Sequence, residues 1–259
     1  MEILLDDVYR LLINVLMPFV RLSAMLLSAP FFGARTIPVR VRIALAVVLT
    51  WVMVPGLPAS DGIDVLGAEW WFLLIQQVLI GIAMGLVLQI AMSGIVLAGQ
   101  NVATAMGLGF ASSIDPQNGI QAAVVGQIYL IFGTLVFLAT DSHLLLIRVL
   151  HESFTVYPIN GLSFDIDLLM QVVSFSGYMF ETGLLISLPV LIGVLLINIG
   201  FGVMTKAAPQ LNIFSIGFPM SMIGGFLLIL ASLPAVMSAM EQTFMDVMDF
   251  LSAVYGDGN

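Results

Sequence analysis

The stretch Thr104-Ala-Met-Gly-Leu-Gly-Phe-Ala-Ser-Ser-Ile-Asp-Pro-Gln-Asn-Gly-Ile-Gln121 is polar and glycine-rich, and it sits between two long apolar runs. Backbone released from a helix cannot face lipid, because its N–H and C=O groups find no partner there. A break of this kind is buried in protein or lines a wet cavity, which is where membrane proteins keep their function. The loop is therefore the first candidate site, and its flanks decide the class of fold.

Working outward, windows of ~20 apolar residues mark segments over Leu11–Phe32, Ile43–Leu57, Trp70–Ala98, Ala122–Ala139, Leu168–Met204 and Ile213–Met240. Ile43–Leu57 is short for a full span. Leu168–Met204 is long enough to need tilt, a bend or a break, and Pro189, with Gly183 and Gly193 nearby, offers the kink. The expectation is an all-α, polytopic chain forming a single domain over residues 1–259. Composition agrees: the chain is 60% hydrophobic and 9% charged, against roughly 25% charged in soluble domains. A membrane β-barrel would alternate apolar and polar residues, and these runs are solid.

Net charge is −9, which argues against nucleic acid and against a basic patch on anionic lipid. The absence of cysteine removes disulfides and thiolate ligands. The start, Met1-Glu-Ile-Leu-Leu-Asp-Asp7, is acidic where a signal peptide is basic, so no cleaved signal is expected. With the N-terminus outside, Arg35, Arg40 and Arg42 in the first loop and Lys206 in the fifth form the cytoplasmic basic set required by the positive-inside rule.

No Gly-x-Ser-x-Gly pentapeptide supports a serine nucleophile. His143 and His151 are eight apart, which matches no i, i+4 ligand pair, and they read as interfacial residues. Gly107-Leu-Gly109 lacks the third glycine and the lysine of a phosphate loop. No catalytic residue, metal or cofactor is expected. Glycine accepts unusual φ, and Asp115-Pro116 and Asn118-Gly119 are turn dipeptides, so the loop suits compact folding; an ordinary interhelical turn is the plainer alternative. Arg21 and Glu181 are ionisable residues inside apolar runs and are candidate buried charges, either gating an ion or fixing packing. Gly81-Ile-Ala-Met-Gly85 fits close helix contact. The methionines 220, 222, 237, 240, 245 and 248 suit membrane packing or a flexible seal. The tail, about 241–259, reads as amphipathic over Glu241–Leu251.

Several stretches together resemble one family. Pro18-Phe-Val-Arg21, Ala29-Pro-Phe-Phe-Gly33 and Ile37-Pro-Val-Arg-Val-Arg-Ile43 are similar to the opening of the flagellar biosynthetic protein FliR family, which includes the SctT export-gate subunits of type III secretion. Met106-Gly-Leu-Gly-Phe-Ala-Ser-Ser-Ile-Asp-Pro116 resembles its central loop, followed by Val125-Gly-Gln127. Ala208-Pro-Gln-Leu-Asn-Ile-Phe-Ser-Ile-Gly-Phe-Pro219 resembles its C-terminal motif, with Pro209, Gln210, Asn212, Phe214, Gly217 and Pro219.

The resemblance implies a non-enzymatic subunit of the flagellar export gate in the bacterial inner membrane, within the basal body. Implied partners are FliP- and FliQ-type subunits, FlhB- and FlhA-type proteins, and unfolded flagellar export substrates. It further implies tilted, bent hairpins in a hetero-oligomeric array lying partly above the bilayer. Carried over to this chain, the channel plug comprises Met106, Gly107, Gly109, Phe110, Ser112, Ser113, Asp115, Pro116, Asn118 and Gly119, with Phe110 the apolar stopper. A stand-alone transporter or channel using Arg21 and Glu181, a structural scaffold for the gate, and the equivalent virulence-injectisome subunit remain as alternatives.

Overall fold

A computed structural model describes residues 2–32, 37–57, 67–108, 123–159, 166–207 and 213–256. Regular structure among the described residues is all helical: α1 Glu2–Ser28, α2 Val39–Met53 with a 3₁₀ turn at Val54–Gly56, α3 Ala68–Ala105, α4 Ala123–Ala139, α5 Ser142–Val156, α6 Ile166–Phe175, α7 Tyr178–Ala207 and α8 Ile213–Tyr255. Several helices are long and apolar enough to cross a membrane, over Val39–Gly56, Glu69–Ala105, Asp167–Ala207 and Gly217–Tyr255. The chain is a polytopic membrane protein.

α3 has 38 residues. At about 1.5 Å per residue it reaches roughly 57 Å, against a hydrocarbon core of about 30 Å. It runs past the expected end at Ala98, because Gln100, Asn101 and Thr104 are polar without being helix breakers; the Thr104 hydroxyl bonds back to the Gln100 carbonyl at 2.9 Å.

The chain divides into two compact units. One takes Met1–Ile90, Asp141–Ser176 and Met245–Asn259; the other takes Ala91–Thr140 and Gly177–Phe244. In the first, α1, the first half of α3, α5 and the end of α8 bury Met17, Leu22, Met25, Leu73, Ile80, Phe154 and Tyr255. Gly81 and Gly85 lie against α1 backbone: a Cβ at 81 would meet Met25 N at 3.0 Å, and one at 85 would meet Met25 O at 2.8 Å. The small-residue spacing thus brings two backbones together. Phe175 of α6 stacks on Phe250 at 4.2 Å between ring centroids.

The second unit buries Met92, Ile95, Val102, Phe137, Val190, Val194 and Phe244, and the Phe137 and Phe244 rings meet at 5.2 Å. Pro189 lies inside α7, and the run is interrupted earlier, at Ser176–Gly177, where Ser176 N–H bonds the Val173 carbonyl at 3.1 Å. Gly183 and Gly193 serve packing: a Cβ at 183 would meet Leu97 Cδ2 at 2.9 Å, and one at 193 would meet Leu228 Cδ1 at 2.5 Å.

One helix escaped the hydropathy windows. α5 carries His143, Arg148, His151 and Glu152, so its mean hydropathy is low. Its buried residues Leu146, Val149, Leu150, Ser153 and Phe154 nevertheless keep amphipathic helix spacing. His143 and His151 are thus helical residues. A left-handed Asp141 (φ 54°) precedes α5.

Candidate functional site at the root of the glycine-rich loop

α3 delivers the chain into the loop, and a defined backbone device ends it. Gly107 has φ 82°, the left-handed region open to glycine at little cost. Its N–H bonds the Thr104 carbonyl at 3.0 Å, and the Leu108 N–H reaches back to the Ala103 carbonyl at 3.0 Å. These crossed bonds are a Schellman turn with glycine just past the helix. Gly107 therefore stops α3 and sets the direction in which the loop departs.

Next to that turn, Ala105 presents a carbonyl with no intrahelical partner, as the last turn of a helix must. Asn198 Nδ2 of α7 donates to it at 3.3 Å, and the Asn198 Oδ1 accepts from the Ser221 hydroxyl of α8. Met106 has no exposed surface and lies beside Gly225, where a Cβ would stand 2.5 Å from Met106 Cγ. Behind the turn, α3 meets α4, the helix that follows the loop, glycine on glycine: a Cβ at Gly99 would fall 2.7 Å from Gly126 Cα. That contact accounts for the glycine of Val125-Gly-Gln127. Both flanks of the loop are thus held close.

Of the plug residues, Met106 and Gly107 are described as above. Gly109, Phe110, Ser112, Ser113, Asp115, Pro116, Asn118 and Gly119 lie outside the described residues, as do Arg35, Pro209, Gln210 and Asn212. Arg40 is exposed at the start of α2 and Arg42 half-buried. Lys206 is exposed in the last turn of α7, where a cation suits the helix dipole. Phe214 lies in the first turn of α8, Gly217 is buried and Pro219 is exposed within that helix. Asn198 and Ser221 were not singled out by sequence reasoning. The available signal was an amide inside the run Leu195-Leu-Ile-Asn-Ile199, where an unpartnered polar group is costly.

Arg21 is fully buried. Its Nε donates to Gln77 Oε1 at 2.7 Å. Nη1 donates to the Ser153 carbonyl at 2.9 Å and to Ser153 Oγ at 3.0 Å, and Nη2 to the Tyr157 carbonyl at 2.7 Å. The guanidinium carbon stands 4.0 Å from the Phe154 ring centroid. Ser153 and Tyr157 form the C-terminal end of α5, with Tyr157 its cap. Arg21 thus caps a helix C-terminus, where the peptide dipoles present partial negative charge. Glu181 is exposed in the first turn of α7. Among the described residues no group of three or more His, Cys, Asp or Glu is placed to hold a metal ion.

The family model for bacterial export proteins, family 1, matches residues 12–247. Relatives named flagellar biosynthetic protein FliR include that of Escherichia coli (strain K12), 32% identical over 240 residues, covering 93% of this chain and 92% of the relative. That of Pectobacterium carotovorum is 36% identical over 237 residues, covering 92% and 90%. That of Bacillus subtilis (strain 168) is 25% identical over 232 residues, covering 88% and 89%. With a match across nearly its whole length, the chain belongs to the bacterial export proteins, family 1, alongside the FliR proteins.

Proposed function

We infer that the chain is the FliR-type subunit of a flagellar protein-export apparatus, and that residues 106–121 plug the channel for unfolded flagellar substrates. The observation that carries the first part is the family match over residues 12–247. The second part is supported by the root of the loop, where a glycine-terminated helix and a glycine-on-glycine contact hold both flanks together. Phe110 is the apolar stopper in this reading. The chain acts as one gate domain in the bacterial inner membrane, at the flagellar basal body. It breaks no bond in its cargo, so it is not an enzyme.

A plug must exist in closed and open states, so the two differ by a few kcal/mol at most. Apolar helix faces left uncovered on α2 and α7 are assigned to FliP- and FliQ-type subunits, with FlhB- and FlhA-type proteins completing the apparatus. Coupling of an ion to Arg21 is disfavoured, because its donors are engaged by Gln77 Oε1 of α3 and by carbonyls at the end of α5.

The test is co-expression of the tagged chain with FliP- and FliQ-type proteins of the same genome, followed by native mass spectrometry. A single discrete hetero-oligomer containing this chain is expected. A stable monomer or homo-oligomer that ignores those partners would overturn the reading.

A further inference from the structure

The end of α3 is tied to its neighbours through one amide. The Schellman turn satisfies the carbonyls of Ala103 and Thr104 and leaves that of Ala105, which Asn198 Nδ2 takes up. The other end of the same amide accepts from Ser221. Four residues beyond Ser221, one turn along α8, Gly225 meets Met106, the residue that follows Ala105. A helix carbonyl, an amide and a hydroxyl therefore run in series across α3, α7 and α8, beside an apolar contact in which the native Met106 side chain fills the space a Cβ at 225 would take. Asn198 is unfavourable in an apolar run unless bonded, and one of its two bonds is spent on the loop root.

We propose that Asn198 is a positioning residue for the loop: with Ser221 it holds the end of α3 on α8, keeping Met106 against Gly225 and fixing where the loop leaves. Without the bond to Ala105, Met106 parts from Gly225 more often and the root moves. The consequence for channel closure rests on the plug reading; the positioning itself does not.

The native sequence has no cysteine, so Met106→Cys with Gly225→Cys supplies a pair free of background within this chain, in the full chain assembled with its FliP- and FliQ-type partners. Mild oxidation should join the pair readily, and failure to join would overturn the juxtaposition. Adding Asn198→Ala should slow joining about fivefold, the equilibrium factor of one ordinary hydrogen bond. Asn198→Asp should slow it as well, since a carboxylate accepts from Ser221 but donates nothing to Ala105. Native mass spectrometry checks assembly of each variant, and Ser221→Ala replaces Asn198→Ala if the latter does not assemble. An unchanged rate overturns the proposal.

Ion leak separates this inference from the plug reading. It is measured in chains with Met106 and Gly225 native, comparing Asn198→Ala with a deletion of residues 109–119. Leak in both supports positioning of a closing loop. Leak in the deletion alone overturns the role of Asn198 in closure and leaves the plug standing. No leak in the deletion overturns the plug, and the joining rate still decides the positioning.

Discussion

Arg21 is wholly buried, yet its acceptors are a side-chain amide, a hydroxyl and two backbone carbonyls. Among the described residues the charge is offset by the C-terminal dipole of α5 rather than by a carboxylate, and the planar fork reaches several acceptors at once. Arg21→Lys keeps the charge but loses that fork, so it should be only partly tolerated. Arg21→Ala strands Gln77 Oε1 in the interior and takes the donor from the half-buried Tyr157 carbonyl; with charged hydrogen bonds at about 1.5–3 kcal/mol each and not additive, a loss of about 3 kcal/mol or more is expected. Thermal unfolding of the purified assembly should order native, Lys and Ala downward; an Ala variant as stable as native would refute the capping account. At Gly107 the backbone angle sets the conflict. Gly107→Val puts a β-branched residue at φ 82°, a cost of about 1–2 kcal/mol, whereas Asn tolerates the left-handed region. Flagellar secretion should fall for Val and largely survive for Asn; equal loss in both would place the defect elsewhere than φ.

At the scale of elements, glycines in apolar helices fall into two kinds. Gly85 and Gly99 sit where backbones nearly touch, while a Cβ at Gly200 or Gly202 would meet nothing within 4 Å. Gly85→Val should force α1 from α3 and cost about 1–3 kcal/mol, as overpacking does. Gly200→Ala should be neutral or gain about 0.5–1 kcal/mol through helix propensity. Unfolding of the detergent-solubilised chain compares them; similar effects at both positions would refute the contact assignment. The sequence could not tell these kinds apart, since each is glycine in an apolar run. What it did reveal follows from composition: α1, α2, α3 and α4 stand out as solid runs, and Gly107 as a break. α5 was hidden because hydropathy windows average away an amphipathic face. The break at Ser176–Gly177 was hidden because Pro189 is the stronger local breaker, although a membrane helix tolerates internal proline. Asn198, Ser221 and the acceptors of Arg21 come together only through tertiary packing, which no spacing encodes.

For the whole molecule, the question is what covers its apolar faces. Phe180 is 65% exposed and Leu196 64% exposed along α7, and α2 presents Val48 at 59% and Trp51 at 76%. Lipid and a partner subunit differ in what truncation does. Lipid tails are as apolar as leucine, so cutting Leu196 back to alanine on a lipid-facing helix removes little. Against a protein partner the same cut forfeits a packed side chain, about 1.5–3 kcal/mol, and interfaces of permanent complexes resemble domain cores. If α7 docks on FliP- or FliQ-type subunits, Leu196→Ala and Phe180→Ala leave the unfolding of the isolated chain unchanged. In competition with untagged native chain they should then lose roughly tenfold or more in incorporation, since about 1.4 kcal/mol is a factor of ten. Native mass spectrometry of assemblies formed from equal amounts of variant and native chain reads that ratio directly. Equal incorporation would assign the α7 face to lipid and leave the partner contacts to other helices.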